Sequence, residues 1–409
     1  MSQTITPPGE RDLFDRDYGP WTQVVEAVAQ ALAENAAQRD KQGGTAYAQR
    51  ELLRESGLLT LLIPEALGGQ GAPWPLILRI VRRLAAADSS VAHLFAFQHL
   101  QVATLLLFGT PAQQARLLAR TVTQRWFWGN ATNDRDTRLQ FEATDHGHRL
   151  EGPRFFCSGS VDAQALIVNV PHPALEGARL FLALPADRAG LRIGQDWDAF
   201  GQRQTDSGSV FFEGTPVEPE DRLGWPDARQ APLPRRPWHS LRSCLAQAIL
   251  TEIYLGNTEG ALSAAREHIT WRARPWPGSP AQTAAQDSTI QLRFGQHWIA
   301  YRGARRLADH AALGLQQAWQ RGEALTAAER AAVALEIAEA RTASAQAGLE
   351  VTSGLFDQMG ANATANGLGL DRYWRNIRVH SLHDPLDLKR QALGQWLLRG
   401  EAPSPSGFS

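Results

Sequence analysis

The sequence predicts an α+β fold in which a helical domain is followed by a central β domain and then by a helical bundle. Apolar residues recur at helical spacing from about residue 21 to 125 and again beyond residue 237. Between these segments, short runs alternate in polarity or are rich in β-branched and aromatic residues, as strands are. The predicted boundaries are 1–125 for the N-terminal helical domain, 126–230 for the β-barrel or sheet domain, 231–400 for the C-terminal bundle and 401–409 for a tail.

Helix signals are clear in the first domain. Asp88 precedes two serines at a position that favours an N-cap. Thr110 and Gln113 have the spacing of a capping box, with Pro111 at the first helical position between them. The buried face of the helix before Asp88 is predicted from Ile77, Ile80, Val81 and Leu84.

The central domain is predicted from short segments with strand character. Leu139, Phe141 and Ala143 alternate with polar residues, and the DHGH sequence at 145–148 indicates a turn. Residues 179–184 (RLFLAL) and 209–212 (SVFF) predict two further strands. These short, closely spaced runs favour a β domain over a second helical one.

The C-terminal domain follows a proline-rich connector at residues 226–237. Thr326 and Glu329 form a capping box before an alanine-rich helix. The segment ends in a polar tail after Glu401, which we expect to be mobile or to dock on a neighbour.

The last organised segment, residues 369–390 (GLDRYWRNIRVHSLHDPLDLKR), carries two histidines in one helical run. We expect the helix to break just after His383, because the residue before Pro385 is disfavoured in the α region. An imidazole at such a helix end can donate and accept hydrogen bonds near a ligand. His380 and His383 are three residues apart with no further cluster of ligands, so we expect no metal site.

Composition narrows the functional class. The 409 residues carry a formal net charge of −1 with 20% charged residues, which argues against a nucleic-acid surface. Two cysteines exclude a disulfide framework and fit a reducing compartment. The first residues lack the pattern of a signal peptide, and no apolar run of about 18 residues is evident. The sequence therefore predicts a soluble cytoplasmic protein without a membrane partner.

Several ordered motifs resemble one family. They are LLIPEALGGQGAPWP (61–75), HLF (93–95), WFWGNATNDRDTR (126–138), RFFCSGS (154–160), DWDAFGQRQTDSGSVFFEGTPV (196–217), ARPWPG (273–278) and DRYWRNIRVHSLHDP (371–385). Together they resemble the acyl-CoA dehydrogenase fold and, within it, the flavin-dependent monooxygenases that act on dibenzothiophene and methanesulfinate. Each motif is weak by itself, whereas their order along nearly the whole chain is specific.

This resemblance implies an oxygenase that receives reduced FMN from a separate NAD(P)H-dependent flavin reductase. Oxygen would add to flavin C4a, and the hydroperoxide would oxygenate a sulfur compound. The glycines at 68–71 lack the strand-turn-helix context of a nicotinamide fingerprint, so a partner must supply the electrons. The segment 126–138 most resembles enzymes of small alkyl-sulfur compounds, which predicts an alkanesulfinate or related compound in sulfur assimilation. A dibenzothiophene-type aromatic substrate is the alternative.

The residue types of these motifs suit a flavin, which needs polar partners at its ring edge, an apolar wall and a cation for its phosphate. Asn130 offers a donor and an acceptor to the ring edge. Ser158 can donate a hydroxyl near flavin N5, and Trp197 can stack on the ring. Arg274 offers the phosphate a fork of donors. The remaining cofactor residues implied by the resemblance are Phe97, Ala131, Thr132, Arg154, Phe156, Ala361, Asn362 and His383.

The predicted catalytic residues are His93, Asn130, Ser158 and His383. His93 lies in an apolar helix, where a lone histidine is more often structural than catalytic. The match to the family motif is the reason to count it among the catalytic residues. The two histidines and Ser158 would hold and protonate the oxygenated flavin, and Asn130 would orient the ring.

The chain departs from its relatives at three positions. Acyl-CoA dehydrogenases use a carboxylate base near the last helix, whereas Asp384 here is short and precedes a proline, so we expect no base of that geometry. Asn362 stands where related monooxygenases tend to have arginine, which weakens the predicted hold on phosphate. Phe97 stands where a tyrosine is frequent and offers no hydroxyl.

Two other functions remain open from the sequence. An acyl-CoA dehydrogenase would need the carboxylate that Asp384 does not supply. A non-catalytic flavoprotein or assembly module would use the long C-terminal helices as an interface. The resemblance and the alanine-rich face at 331–347 predict a homotetramer, with flavin sites near subunit boundaries.

Overall fold

The N-terminal third of the chain is helical. The computed structural model describes residues 9–145, 147–172, 175, 179–225 and 235–405. The first seven helices are α1 (Glu10–Phe14), α2 (Thr22–Ala33), α3 (Ala36–Gln42), α4 (Tyr47–Glu55), α5 (Trp74–Ala87), α6 (Ser89–Phe108) and α7 (Pro111–Thr123).

Two β-sheets follow and form the central part. The strands are β1 (Trp128–Ala131), β2 (Gln140–Thr144), β3 (Gly147–Arg154), β4 (Ala165–Pro171), β5 (Arg179–Pro185), β6 (Leu191–Ile193) and β7 (Val210–Val217). One sheet has the order β1-β4-β5, with β1 parallel to β4, and the other has the antiparallel order β2-β3-β7-β6. The predicted β domain therefore consists of two open sheets and is not a closed barrel.

Long helices complete the fold. They are α8 (Leu241–Trp271), α9 (Ser288–Arg321), α10 (Ala327–Gly354), α11 (Phe356–Met359), α12 (Arg372–Ser381) and α13 (Leu386–Arg399). The helices share one large apolar core, and a smaller core lies within the β domain. The order of helices, sheets and helices confirms the predicted fold class.

Helix α6 runs through the middle of the larger core. Nineteen of its twenty residues are buried. Of the described helices, it alone has the length and composition that could cross a membrane, with a mean hydropathy of 1.5, but 94% of that window is buried inside the protein. The window includes His93, Gln98 and Gln101, so it is not an unbroken apolar run. These polar side chains are buried against neighbouring elements and do not face solvent.

The predicted helix starts are confirmed. The Asp88 carboxylate accepts a hydrogen bond from the Val91 amide at 3.1 Å, and capping boxes open α7 and α10. Helix α12 ends at Ser381, two residues earlier than predicted, so His383 lies in the turn before α13. Most of the predicted connector (226–234), one residue of the predicted turn (146) and the end of the tail (406–409) lie outside the described residues.

Candidate functional site

One face of α6 carries the polar side chains of the candidate site. His93, Phe97, Gln101 and Thr104 follow one another at intervals of four, four and three residues, which places them on the same side of the helix. All four are buried. Burying polar groups costs free energy unless they find partners, so the partners of this face define the site.

Strand β1 supplies the first partner, Asn130, which is 5% exposed. Its Oδ1 accepts hydrogen bonds from Gln101 Nε2 at 3.1 Å and from the Thr132 hydroxyl at 2.7 Å. A carbonyl oxygen has two acceptor sites, and both are used here. The Nδ2 hydrogens of Asn130 thus remain available to a ligand. Asn130 is therefore a hydrogen-bond donor to that ligand, whereas the sequence allowed it to be a donor or an acceptor.

The RFFCSGS motif forms a tight turn beside β1. Phe156 and Gly159 both have positive φ, at 61° and 73°. The turn is fixed to a second loop because the Cys157 amide donates to Gly208 O and the Gly159 amide to Thr205 O, both at 2.9 Å. A non-glycine residue with positive φ is strained and concentrates at functional sites.

A chain of hydroxyls fixes the direction of the Ser158 hydrogen bond. Thr205 donates its single hydroxyl hydrogen to Gln202 O at 2.9 Å. The 2.8 Å contact between Thr205 and Ser207 must then use the Ser207 hydrogen, and the 2.8 Å contact between Ser207 and Ser158 must use that of Ser158. Ser158 therefore presents an acceptor to a ligand, which reverses the donor role expected from the sequence.

A buried arginine from the N-terminal helices holds both loops in place. Arg50 in α4 is fully buried, forms an ion pair with Asp206 and donates to Gly159 O at 3.3 Å. The Thr45 hydroxyl adds a second bond to Asp206 at 2.9 Å. Sequence reasoning missed these residues, because nothing local in the chain signals a pair separated by 156 positions.

An exposed aromatic pair borders the serine turn. Phe156 is 64% exposed, and its ring lies 6.1 Å from that of Trp197 in an edge-to-face arrangement. The indole nitrogen of Trp197 donates to Gln202 O at 2.7 Å, so the ring is tied to the same loop as the hydroxyl chain. A large exposed aromatic ring beside buried polar groups is suited to cover a planar ligand.

Two histidines meet at the N-terminal end of the α6 face. The ring of His93 stacks on Phe97 at 4.0 Å and lies 4.8 Å from the ring of His380. Neither ring nitrogen of His93 has a hydrogen-bond partner. Burial and the nearby His383 lower the pKa of His93 to about 3, and burial with His93 lowers the pKa of His380 well below its usual value. Both imidazoles are neutral at pH 7 and have unused polar atoms.

His383 differs from these two because its side chain is 50% exposed. Its Nδ1 lies 3.3 Å from Asp384 Oδ1. A carboxylate in this position fixes the orientation of the ring. His383 is therefore the histidine of this group that is open to solvent.

Asp384 is fully buried and surrounded by cations. Its carboxylate contacts Arg341 at 2.5 Å and Lys389 at 3.2 Å. Burial would raise its pKa, but the hydrogen bond with His383 and the charges of Arg341 and Lys389 lower it below the usual value. A carboxylate with so low a pKa and such partners cannot serve as a base for a carbon-bound proton, which agrees with its place before a proline.

The other predicted cofactor residues form a separate group. Arg274, Ala361 and Asn362 line a cavity of about 420 Å³ together with other residues of 272–277 and 357–362. Within the described chain, no residue of the Asn130 and Ser158 group lines this cavity. The predicted cofactor residues therefore do not share one cavity within the described chain.

The side chains of two predicted cofactor residues make other contacts within the protein. Arg154 is fully buried, and its guanidinium donates to the carbonyls of Asn133, Asp136 and Asn169 at 2.6–2.8 Å. These bonds use its two Nη atoms, whereas Nε has no partner, and its role as a cofactor ligand stays a prediction. The side chain of Ala131 is buried in the β-domain core, so only its backbone can face a ligand.

Metal and thiol chemistry have no evident site here. In the part of the chain that the structure describes, no three His, Cys, Asp or Glu side chains are grouped to hold a metal ion. Cys157 and Cys244 are buried, and burial raises the pKa of both thiols. Neither is a reactive thiolate at neutral pH.

Comparison with known proteins places this arrangement in a family. The N-terminal domain model of the acyl-CoA dehydrogenases matches residues 21–125, and the C-terminal domain model matches residues 248–387. The chain belongs to the acyl-CoA dehydrogenase family. It is 40% identical over 390 residues to a probable FMNH2-dependent monooxygenase, SfnC, of Pseudomonas putida, which covers 95% of this chain and 98% of that protein.

Two solved structures narrow the family to its monooxygenases. Methanesulfinate monooxygenase MsuC from Pseudomonas fluorescens is 40% identical, with a TM-score of 0.91 over 96% of this chain and 100% of that one. FMN-bound TdsC from Paenibacillus, a dibenzothiophene monooxygenase, is 34% identical, with a TM-score of 0.88 over 95% of this chain and 99% of that one. The predictions of a flavin-dependent monooxygenase and of FMN as its cofactor are confirmed at this level.

The residues present fit the pyrimidine edge of a flavin. Asn130 retains free amide donors, Ser158 a free acceptor, and His93 two ring nitrogens without partners. The Asn130 backbone amide donates to Ser158 O at 2.9 Å, Phe156 and Trp197 border the serine turn, and His93 lies on α6. Buried polar atoms that lack a protein partner call for a ligand that supplies one.

The structural role of the buried Asp384 charge can be tested by measuring the free energy of unfolding. Replacing Asp384 with Asn leaves Arg341 and Lys389 buried without a counter-charge, so we expect a loss of about 3–5 kcal/mol in the free energy of unfolding. Because the folded-state pKa of Asp384 is depressed, this contribution is present above the unfolded pKa, about 4, and is lost as the pH falls below it. Urea unfolding at pH 7 measures the difference.

Asp387 provides the control for this substitution. It lies three residues further on, is 87% exposed and pairs with Arg390 at 2.8 Å. Asp387→Asn should change the unfolding free energy by less than about 0.5 kcal/mol. Equal stability of the two variants would contradict the structural role of Asp384.

Proposed function

We propose that this protein is the oxygenase component of a two-component monooxygenase, and that it uses reduced FMN and O2 to oxygenate a small organosulfur compound. The bound flavin would supply the oxygen donor, its C4a-hydroperoxide. The observation that carries the proposal is the pairing of a free amide donor on Asn130 with a hydroxyl acceptor on Ser158, which a 2.9 Å backbone hydrogen bond holds side by side. The relatives SfnC, MsuC and TdsC support it.

The hydroxyl acceptor of Ser158 favours the reduced state of the cofactor. Reduced flavin carries a hydrogen on N5, whereas oxidised flavin has a lone pair there. An oxygen that already donates to Ser207 can accept from the reduced form without rearrangement. Asn130 would donate to an acceptor of the pyrimidine edge, and Phe156 with Trp197 would cover the ring.

The three histidines would have different roles because their exposure to solvent differs. His93 and His380, neutral and buried, would orient the reacting groups by hydrogen bonds and exclude water. His383, in contact with Asp384 and open to solvent, would hold the proton that the leaving oxygen needs. Arg341 and Lys389 keep Asp384 ionised and thereby keep His383 oriented.

The substrate we propose is an alkanesulfinate or a similar small organosulfur compound used in sulfur assimilation. The likeness to MsuC, whose name gives methanesulfinate, supports this choice together with the 126–138 segment. The likeness to dibenzothiophene monooxygenases supports the aromatic alternative. Product analysis with methanesulfinate and dibenzothiophene separates the two.

A homotetramer would unite the two groups of cofactor residues. Arg274, Ala361 and Asn362 would then reach the phosphate of a flavin held by Asn130 and Ser158 of a neighbouring subunit. Large exposed apolar side chains on the C-terminal helices, including Trp271, Ile299, Leu397 and Leu398, favour such an assembly.

The electrons would come from a separate NAD(P)H-dependent flavin reductase, through diffusion of reduced FMN. Residues 68–71 follow a short 3-10 turn and precede α5, so they lack the strand of a dinucleotide-binding motif. We propose a cytoplasmic location on the basis of the two buried free cysteines.

Anaerobic reduction followed by exposure to oxygen tests the proposed function. The FMN-loaded protein is reduced without oxygen and then mixed with oxygenated buffer containing methanesulfinate. A transient flavin hydroperoxide absorbance, followed by oxygenated product, is expected. Bleaching of the oxidised flavin by an acyl-CoA would instead indicate a dehydrogenase, and neither signal would indicate a non-catalytic module.

His383 should control the coupling of oxygen to product. His383→Ala should lower product formation by about 10²–10⁴-fold, the usual contribution of a positioned acid or base, and the oxygen should appear as hydrogen peroxide. The fold should survive, because the side chain is half exposed. His310→Ala is the control, because that histidine is 72% exposed on α9. Normal coupling in His383→Ala would contradict the role proposed for His383.

Arg274 should bind phosphate across a subunit boundary. Arg274→Ala should weaken reduced-FMN binding by about 1.5–3 kcal/mol, or roughly 10–150-fold, as expected for a charged hydrogen bond. The exposed Arg192→Ala is the control. Light scattering should give a tetramer mass for both. A monomer that binds FMN with full affinity, or tighter binding of FAD than of FMN, would contradict this arrangement.

A further inference from the structure

Arg242, at the start of α8, lies next to the Asn130 site without a predicted role. Its Nε donates to the Thr104 hydroxyl at 2.8 Å, and one Nη donates to the Thr132 hydroxyl at 3.2 Å. The guanidinium carbon lies 5.0 Å from the centre of the Phe181 ring. The side chain thus joins the C-terminal end of the α6 face to the end of β1.

The charge of Arg242 has no carboxylate partner among the described residues. Asp134 acts on it only from beyond ion-pair distance, and it is engaged by Asn169 and by Arg179 at 3.8 Å. Buried arginines elsewhere, such as Arg82 and Arg341, contact carboxylates directly. Burial lowers the pKa of Arg242 to about 10, so it remains a cation at neutral pH.

Along the chain from Arg242 through Thr132 to Asn130, each group donates its hydrogen bond to the next. Thr132 has a single hydroxyl hydrogen and gives it to Asn130 Oδ1, so it must accept from Arg242. Thr104 gives its hydrogen to Leu100 O and also accepts from Arg242. In such a chain each bond polarises the next, and a cation at its start makes the last donor, Asn130 Nδ2, stronger.

A stronger donor at Asn130 Nδ2 favours binding of a ligand that carries negative charge at the atom that Asn130 contacts. Reduced flavin loses its N1 proton near neutral pH and spreads the charge over the pyrimidine ring, whereas oxidised flavin is neutral. A polarised donor in a site of low dielectric constant therefore stabilises the reduced form more.

We propose that Arg242 acts through Thr132 and Asn130 to make the site selective for reduced, anionic FMN. It is a positioning residue, since its own contacts are with hydroxyls and an aromatic ring. The inference rests on the proposed function to the extent that Asn130 contacts the flavin ring edge.

The midpoint potential of bound FMN measures this selectivity. For a two-electron couple, each tenfold preference for the reduced form raises the potential of the bound flavin by about 30 mV. Anaerobic titration with a reference dye gives the potential of the wild-type holoenzyme and of each variant. Arg242→Gln should lose about tenfold of the preference and lower the potential by about 30 mV. Arg242→Lys, which keeps the charge, should restore part of the loss.

Thr132→Val gives a second, milder test. It removes the hydroxyl that links the cation to Asn130 and leaves Arg242 in place, so the potential should fall in the same direction. Arg235→Gln is the matched control. Arg235 is also partly buried, its pKa is also lowered to about 10 by burial, and it lies 4.4 Å from Phe108, the ring stacked on Phe181. It has no hydrogen bond to Asn130 or Thr132 among the described residues, so the potential should not change.

Two results would overturn the inference. Potentials of Arg242→Gln and Thr132→Val within a few millivolts of wild type would show that the relay does not reach the flavin. If Arg242→Gln instead lost affinity for methanesulfinate at unchanged potential, the cation would serve an anionic substrate. The potential is measured without oxygen or substrate, so a protein that binds FMN normally and fails to oxygenate would refute the proposed function alone.

Discussion

The structure depends on the burial of a polar face within an apolar helix. Helix α6 is surrounded by other helices, so His93, Gln101 and Thr104 cannot turn to solvent. Each must find a partner nearby, because an unpaired polar group costs about 1–3 kcal/mol in a core. Strand β1 supplies Asn130, Thr132 follows directly after the strand, and α8 supplies Arg242. The atoms that remain unpaired mark where a ligand belongs.

The need of buried polar groups for partners also explains why this site departs from acyl-CoA dehydrogenase chemistry. The carboxylate near the last helix, Asp384, is fully buried between Arg341 and Lys389, which hold it ionised and out of reach. The exposed group at this position is the imidazole of His383. A buried carboxylate held between two cations cannot act as the base that an acyl-CoA dehydrogenase needs.

Local signals predicted much of the fold, and contacts between distant segments decided the site. Caps at Asp88 and Thr110 were readable because the donor and acceptor lie within three residues. The ion pair of Arg50 with Asp206 has no such signal. Arg154 is a second example, because a motif does not reveal that both Nη atoms of an arginine donate to backbone carbonyls. Likewise, only the structure shows that Thr205 and Ser207 turn the Ser158 hydroxyl into an acceptor.

We infer that the hydrogen bonds of this site favour the reduced cofactor. Anaerobic titration of the wild-type protein with reduced FMN, compared with titration by oxidised FMN under the same conditions, tests this inference. We expect reduced FMN to bind at least about tenfold more tightly, a difference of about 1.4 kcal/mol. Equal affinity, or tighter binding of oxidised FMN, would contradict it.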